Sequence, residues 1–492
     1  MSSNLNQKIG QATRWSSITE IVVKLISPLV NMVLARLLVP EAFGVVATIS
    51  MVITFSEVFT DAGFQKYIIQ HEFKNKEELN NSTNVAFWTN FSMSALICVV
   101  IFCFRHNIAA LAGNPALGNS ISIASLSIIL VAFSSIQMAR YKRDFDFKTL
   151  FFVRMGTALI PVVVTIPLAL IFRNYWALLI GTLSRDLFNA VVLTAKSTWR
   201  PRLYYNITLL KEMFSFSAWT LLESISIWLT TNIDIFIVGN FLNEHFLGLY
   251  KTSMSTVNSY MSIITASITP VLFSALSRYQ NDEASFRKTY YSFQRMTAVL
   301  VIPMGVGMFL YSDLVTQILL GEKWIEASRF IGLWGLTSAI TIIFSNFSSE
   351  VYRSRGKPRT SLLVQVLHLC FLVPTVLLAV NSGFEVLYVS RAVIRLQMVL
   401  CTLLIMHFRY GFKIISILQN TAPMLLSALI MAVVGFFLQQ INSSIVWHLI
   451  SVLICIAVYF VTLLGCFPKI RTEIAGSQYV QKILAKLRKI RH

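Results

Sequence analysis

Six ionisable residues fall deep inside long apolar runs: Lys24, Arg185, Asp186, Glu223, Arg391 and Arg395. An ion in such surroundings is costly, so each is expected to face a partner or a polar cavity. Arg391 and Arg395 are four residues apart, which puts both guanidiniums on one helix face. Arginine's planar donors suit phosphate oxygens. The pair therefore reads either as a clamp for a pyrophosphate or as two separate ion pairs with acids on other helices. Glu20 and Lys24 are also four apart, in the order that favours an ion pair. That pair is either structural or opened by an arriving proton or anion. Lys24, Arg185, Arg391 and Arg395 form the candidate cationic binding set. Glu20, Asp61, Glu223 and Asp234 are the candidates for ion coupling or gating. Glu57 shares a face with Asp61 near a span end and reads as a rim residue. Arg36, Arg154, Lys251, Arg295 and Arg329 lie near span ends, where long basic side chains reach for the headgroups.

Catalytic chemistry finds little support. Gly356-Lys357-Pro358-Arg359 lacks the upstream glycine and the following Ser or Thr of a nucleotide-binding loop. HExxH, GxSxG and GxGxxG patterns are absent from the sequence. One DxD occurs at Asp144-Phe145-Asp146, in a short basic loop with no adjoining domain to hold a nucleotide. The six cysteines, Cys98, Cys103, Cys370, Cys401, Cys455 and Cys466, lie in or beside apolar runs with no CxxC spacing. No cofactor and no metal is expected.

The elements that must position these charges are membrane helices. The chain has 492 residues, 55% apolar and 13% charged, against about 25% charged for an average soluble domain. A helix needs roughly 20 residues to cross hydrocarbon. Fourteen runs qualify: Trp15 to Val39, Ala42 to Phe64, Thr83 to Phe104, Leu117 to Met138, Leu150 to Phe172, Tyr175 to Ala195, Phe214 to Gly239, Leu247 to Leu276, Tyr291 to Tyr311, Ile325 to Ser349, Ser361 to Val380, Gly383 to Met406, Ala422 to Leu438 and Ile445 to Cys466. The first run carries Glu20 and Lys24, too long and too polar for a cleaved signal.

The net charge of +19 fits either a nucleic-acid binder or a membrane protein with basic cytoplasmic loops. Its distribution favours the second. With the N-terminus inside, the outer loops hold only Arg105, Arg173 and Lys323. Clusters such as Arg140, Lys142, Arg143, Lys148 and Lys196, Arg200, Arg202, Lys211 fall inside. Both termini are then cytoplasmic, and no nucleic-acid partner is expected. From Arg471 to His492, apolar residues at helical spacing alternate with basic ones, as in a helix lying on anionic lipid.

A weak internal repeat aligns Trp15 with Trp219, Leu38 with Leu242 and Gly44 with Gly248. ARLLVPEAFG lies over GNFLNEHFLG, and both runs sit at an outer turn. Repeats of this kind build two-lobed transporters. The expected organisation is an N-terminal six-helix lobe (1–205), a second six-helix lobe (206–410), two added helices (411–468) and a basic amphipathic tail (469–492).

The segments LARLLVPEAFG (34–44), FTDAGFQKYIIQ (59–70), RYKRDFDFK (140–148), NIDIFIVGNFLNEHFLGLY (232–250), ITPVLFSALSRYQND (268–282) and LLGEKW (319–324) resemble those of the polysaccharide flippases. These belong to the multidrug, oligosaccharidyl-lipid and polysaccharide exporter superfamily, and the likeness is to the colanic-acid and teichuronic-acid type. The resemblance covers most of the first ten helices; beyond about Ser361 it is one of hydropathy. It implies an all-α integral membrane fold of two six-helix lobes around a central cavity. It also implies an inner-membrane transporter that carries undecaprenyl-pyrophosphate-linked oligosaccharides to the outer leaflet. The implied setting is exopolysaccharide, capsule or O-antigen-like assembly, with membrane lipids around the chain and polymerase and export machinery as partners. Arg36, Asp61 and Asp234 match residue types common in the family. Asn240 departs from it, standing where many relatives have arginine. A drug/cation antiporter of the same superfamily is the first alternative, though the deep charges lean basic. A membrane glycosyltransferase or polymerase is the second, and it lacks a catalytic loop or soluble domain.

Overall fold

The computed structural model describes residues 2–61, 63–468 and 470–472, without the side chains of 2–14, 16, 17, 21, 61, 215–220, 222, 223, 267 and 358. The basic tail expected over 469–492 thus falls almost wholly outside the described residues. Among those described, helices follow one another with no strand.

The first ten helices are α1 (Ser2–Leu37), α2 (Pro40–Asp61), α3 (Phe64–Gln70), α4 (Lys76–Cys103), α5 (Arg105–Leu111), α6 (Gly118–Ala124), α7 (Leu126–Arg143), α8 (Phe147–Ile160), α9 (Ile166–Phe172) and α10 (Trp176–Lys196). There follow α11 (Ile207–Phe241), α12 (Glu244–Arg278), α13 (Glu283–Leu310), α14 (Ser312–Leu319), α15 (Ser328–Thr341), α16 (Phe347–Ser354), α17 (Pro358–Val380), α18 (Phe384–Tyr410), α19 (Ile414–Ile441) and α20 (Ile445–Cys466). Among the described residues, 12 stretches are long and apolar enough to cross a membrane, and up to 13 when the bent pair Glu244–Ala266 and Ile268–Arg278 is taken as one span. The sequence predicts fourteen. The remaining expected span falls on α11, several of whose side chains lie outside the described set. Large apolar side chains such as Val163, Phe408 and Val461 are exposed, as hydrocarbon rather than water would allow.

Local chemistry sets the helix ends. Asn75 caps α4 by accepting from Glu78 N, and the Glu78 carboxylate in turn accepts from Lys74 N, an exchange that satisfies two orphan donors. Asp146 caps α8, accepting from Thr149 N at 3.1 Å and Thr149 Oγ1 at 2.7 Å. Phe145 just before it has φ 58°. The DxD is thereby a tight helix-to-helix turn with one carboxylate occupied as a cap. Asn206 and Asp282 cap α11 and α13 in the same manner. Two π-helical stretches, Pro161–Thr165 and Ile342–Asn346, join α8 to α9 and α15 to α16. The first follows from Pro161, which has no N–H to give the ladder.

The chain divides into two compact units. One comprises Met1–Ser267, Leu319–Ala327 and Leu362–Ile394; the other comprises Ile268–Ile318, Ser328–Ser361 and Arg395–His492. In the first, α1 packs on α8, α4 and α10 on α7, and α2 on α11. Arg143 ties α3 to α7 by donating to Ile68 O and His71 O, both at 2.7 Å, while its guanidinium lies over the Phe73 ring. Nearby, burial and the adjoining Glu212 carboxylate push the Tyr67 phenol well above its usual range, so it stays protonated and donates to Glu212. In the second unit, α13 packs on α15 and α19, and α19 on α20. An apolar cavity of about 410 Å³ lies there, lined by residues such as Leu300, Tyr311, Met431 and Tyr459.

The tightest approach in the first unit joins two turns. A Cβ on Gly44 would lie 1.9 Å from Glu244 O, and one on Gly248 would lie 1.9 Å from Pro40 O. Pro40 and Glu244 stand at equivalent places in the repeat, as do Gly44 and Gly248. The contact is therefore reciprocal, as a local twofold relating the two turns demands. Trp324 is fully buried beside it, donating to Ala35 O at 2.8 Å and meeting Phe43 edge-on. Asn240 donates to Leu111 O at 3.1 Å. It thus serves here as a link between α11 and α5.

Gly44→Ala and Gly248→Ala are each expected to destabilise the protein by about 1–3 kcal/mol, because backbone rather than a yielding side chain meets the new methyl. The double variant is expected to lose less than the sum, since both alter one contact. Thermal unfolding of the purified protein in detergent measures both.

Candidate functional site

Asp234 is fully buried on α11, a helix whose apolar faces carry it inward. Arg391 Nε on α18 donates to its Oδ2 at 2.8 Å, and Tyr250 OH on α12 donates to the same oxygen at 3.0 Å. Oδ1 accepts from Ile235 N at 2.9 Å. Lys251, next to Tyr250, is within electrostatic reach of the same carboxylate. Arg391 is itself 6% exposed. Residues of the first unit from three helices thus meet on one carboxylate. A buried pair of this kind contributes little net stability against an apolar substitute, but losing one partner strands an ion.

Arg395, one turn further along α18, has a different setting in the second unit. Its guanidinium stacks on the Trp334 ring at 3.9 Å and donates to Ser338 Oγ at 2.8 Å and to Thr337 Oγ1 at 3.3 Å. Of the two candidate arginines, Arg391 is paired with an acid, while Arg395 is held by an aromatic face and hydroxyls and is half-buried.

Glu20 meets Arg154 of α8 at 2.7 Å. Its ion-pair partner is on another helix, not one turn away at Lys24. Lys24 is half-buried and makes no ion pair among the described residues. Arg185 contacts its neighbour Asp186 at 3.2 Å, and Glu57 of α2 lies within electrostatic reach of both. Glu57 also lines a cavity of about 300 Å³ with Thr54, Thr60, Asn90, Ser135 and Ser224. One carboxylate with several hydroxyls and amides there can hold a proton or a hydrated cation, and the Arg185–Asp186 pair acts on that carboxylate through its field. Nearness to the span end suggests a rim position for Glu57, but the cavity it lines depends on α4 and α7, which the sequence of α2 alone does not reveal. The side chains of Asp61 and Glu223 lie outside the described residues.

His245 joins three elements of the first unit at the turns. Its Nδ1 is 2.8 Å from Glu41 Oε1, and its Nε2 is 2.8 Å from Glu326 Oε2. Glu244 beside it is engaged by Asn114. An imidazole can donate to both carboxylates only when both its nitrogens are protonated.

Residues 33–329 match the model of the family described as "Polysaccharide biosynthesis protein". This chain belongs to the polysaccharide biosynthesis protein family. Among curated proteins, it is 22% identical over 327 residues to the lipopolysaccharide biosynthesis protein WzxC of Escherichia coli K12, covering 65% of each chain. The chain thus matches slightly under two thirds of that relative's length. Similarity to a membrane protein encoded in the cps region of Klebsiella pneumoniae is longer, 21% identity over 96% of this chain and 98% of that one. The teichuronic acid biosynthesis protein TuaB of Bacillus subtilis is 20% identical over 72% of this chain and 73% of its own length. Among solved structures, the lipid II flippase MurJ in an inward closed conformation superposes with a TM-score of 0.76 at 15% identity, covering 92% of this chain and 99% of that one. An inward-facing multidrug resistance MATE family transporter of the MOP superfamily gives 0.61 at 12% identity, covering 82% and 99%. These likenesses establish the fold: a multi-pass, all-α membrane protein of the flippase and MATE type. The family's match ends at residue 329, so Arg391 and Arg395 lie beyond it.

Asp234→Asn and Arg391→Gln are each expected to cost about 3–5 kcal/mol, and the double variant clearly less than their sum. Unfolding midpoints of the three variants decide this; strict additivity would mean that the pair is not coupled. Raising the pH should weaken the His245 contact as the ring loses its second proton. Wild type should therefore lose more thermal stability than His245→Gln between about pH 5.5 and about pH 8.5. Equal losses in a differential scan would remove His245 as the cause.

Proposed function

We propose that this protein is a transporter, not an enzyme: a flippase that moves undecaprenyl-pyrophosphate-linked oligosaccharide repeat units from the inner to the outer leaflet of the bacterial inner membrane. Family membership carries this reading. The cations carried within apolar helices support it, because a sugar pyrophosphate cannot enter hydrocarbon without fixed donors in place of water. Residues 1–205 and 206–410 act as two lobes, and alternating access rocks one against the other. The two added helices and the basic tail follow the second lobe, with residues 1 and 492 on the cytoplasmic side. Lys24, Arg185 and Arg395 contact the anionic headgroup. Arg391 joins them when an arriving phosphate competes with Asp234 for its guanidinium. Glu20, Asp61, Glu223 and Asp234 respond to protons or cations during the cycle. The polyprenyl tail remains in lipid. Outward movement of a dianion down a 100 mV potential, negative inside, gains roughly 4.6 kcal/mol, so membrane potential alone suffices to drive the step. Polymerase and export machinery take up the product.

The Glu57, Arg185 and Asp186 cluster favours one second reading, a drug or cation antiporter, since carboxylates beside a polar cavity suit a cationic cargo.

The test is headgroup sidedness in sealed proteoliposomes with a lipid-linked repeat unit and an impermeant glycan-oxidising probe. Lys24→Ala and Arg395→Ala leave the Asp234–Arg391 pair intact. Each is expected to slow headgroup exposure by about tenfold or more, the worth of one charged hydrogen bond. Exposure that needs the protein but is unchanged in both variants would keep the flippase and discard these two contacts. No exposure with any repeat unit tried, together with protein-dependent export of a cationic dye, would favour the antiporter.

A further inference from the structure

A second polar cavity lies in the first unit, away from all the residues assigned above. It measures about 910 Å³ and sits where the start of α4, the end of α7 and the 197–206 loop meet. Lys76, Arg140, Arg200 and Arg202 line it, with Trp199 and Asn84. Glu77 and Asp144 are the acids on its wall, leaving two net positive charges. This is the end of the bundle at which the sequence gathers its basic loops.

The cations are held in place rather than scattered. Arg140 donates to Asn80 Oδ1 at 2.7 Å, with its guanidinium over the Trp199 ring. Arg200 donates to Trp199 O at 3.2 Å and Ala195 O at 3.3 Å. The backbone of Arg202 is fixed at both ends: its N–H donates to Asn84 Oδ1 at 3.0 Å, and its carbonyl accepts from Trp88 Nε1 at 2.8 Å. Its guanidinium is exposed and has no ion pair among the described residues. Immediately beyond it, Leu203 is 92% exposed and Tyr205 53% exposed. An apolar residue so fully exposed beside a basic pocket suits the headgroup boundary, where acyl chains begin.

From this juxtaposition we propose that the cavity binds the phosphodiester headgroup of an anionic phospholipid of the adjacent leaflet, with Leu203 and Tyr205 against the first carbons of its chains. Basic pockets between membrane helices hold anionic headgroups by this chemistry, and the volume is within the usual range for a small-molecule site. A lipid bound there would tie α4, α7 and the 197–206 loop together. The inference is independent of the transported substrate.

The experiment uses the full chain, purified in mild detergent and titrated with short-chain phosphatidylglycerol, with bound lipid counted by native mass spectrometry. Wild type is compared with Arg200→Gln plus Arg202→Gln, both at exposed side chains, and with a control of equal charge loss outside the cavity, Lys148→Gln plus Lys211→Gln. Inorganic phosphate and phosphatidylcholine form the other arms. The expected result is one phosphatidylglycerol held by wild type and control, retention roughly thirtyfold weaker in the Arg200/Arg202 variant, the equivalent of two basic contacts, and no displacement by millimolar phosphate. Displacement by free phosphate would make this a soluble-anion site and overturn the lipid assignment. Equal weakening in variant and control, or equal retention of phosphatidylcholine, would overturn the site itself. Unchanged unfolding midpoints exclude misfolding; if the Gln variant falls, Arg200→Lys plus Arg202→Lys, which keeps the charge, is expected to retain the lipid.

Discussion

Hydrocarbon offers no hydrogen bonds, so a guanidinium placed within it needs a partner already in position. Asp234 meets that need for Arg391, and Tyr250 takes the remaining geometry of the same oxygen. The consequence is architectural. One residue from each of α11, α12 and α18 must reach a common point, and the rotation of each helix about its axis is fixed by that requirement. Apolar packing alone would leave these rotations soft, because a leucine is nearly as content against lipid as against another helix.

Steric rather than electrostatic constraint governs the turns of the same unit. Gly44 and Gly248 admit each other's backbone where any side chain would collide. Around this crossing gather Trp324, His245, Glu41 and Glu326. The segments that carry the family resemblance are, in large part, these contacting surfaces: 34–44, 232–250 and 319–324 meet here, while 59–70 and 140–148 meet through Arg143. Much of the family signal is therefore packing chemistry. The cationic candidates for touching a cargo lie elsewhere, and three of the four, Lys24, Arg391 and Arg395, fall outside the family's matched region.

The charges fall into two physical classes. Asp234–Arg391 is buried and closed, so its carboxylate must be displaced before the arginine can serve another anion. Lys24, Arg185 and Arg395 are less buried. The cavity around Trp199 adds a further setting for positive charge, in which cations are anchored by carbonyls, amides and an indole.

Sequence alone determined the helical class, the positions of most spans, the alternation of basic loops and the pairing of Gly44 with Gly248 in the repeat. These follow from hydropathy over a bilayer's width, from charge retention on one side, and from a repeat that brings like to like. Which acid meets which base was decided only in three dimensions. Spacing along one helix links Glu20 to Lys24 and Arg391 to Arg395, because 3.6 residues per turn fixes those neighbours. The partners found were Arg154 and Asp234, 134 and 157 residues distant. Likewise, the DxD became a helix cap, and Glu57 acquired a cavity built by other helices. Hydropathy reports that a helix enters the membrane but not how it is turned there, since its lipid-facing and protein-facing sides are almost equally apolar; contacts between helices, the buried ion pair foremost, set that rotation.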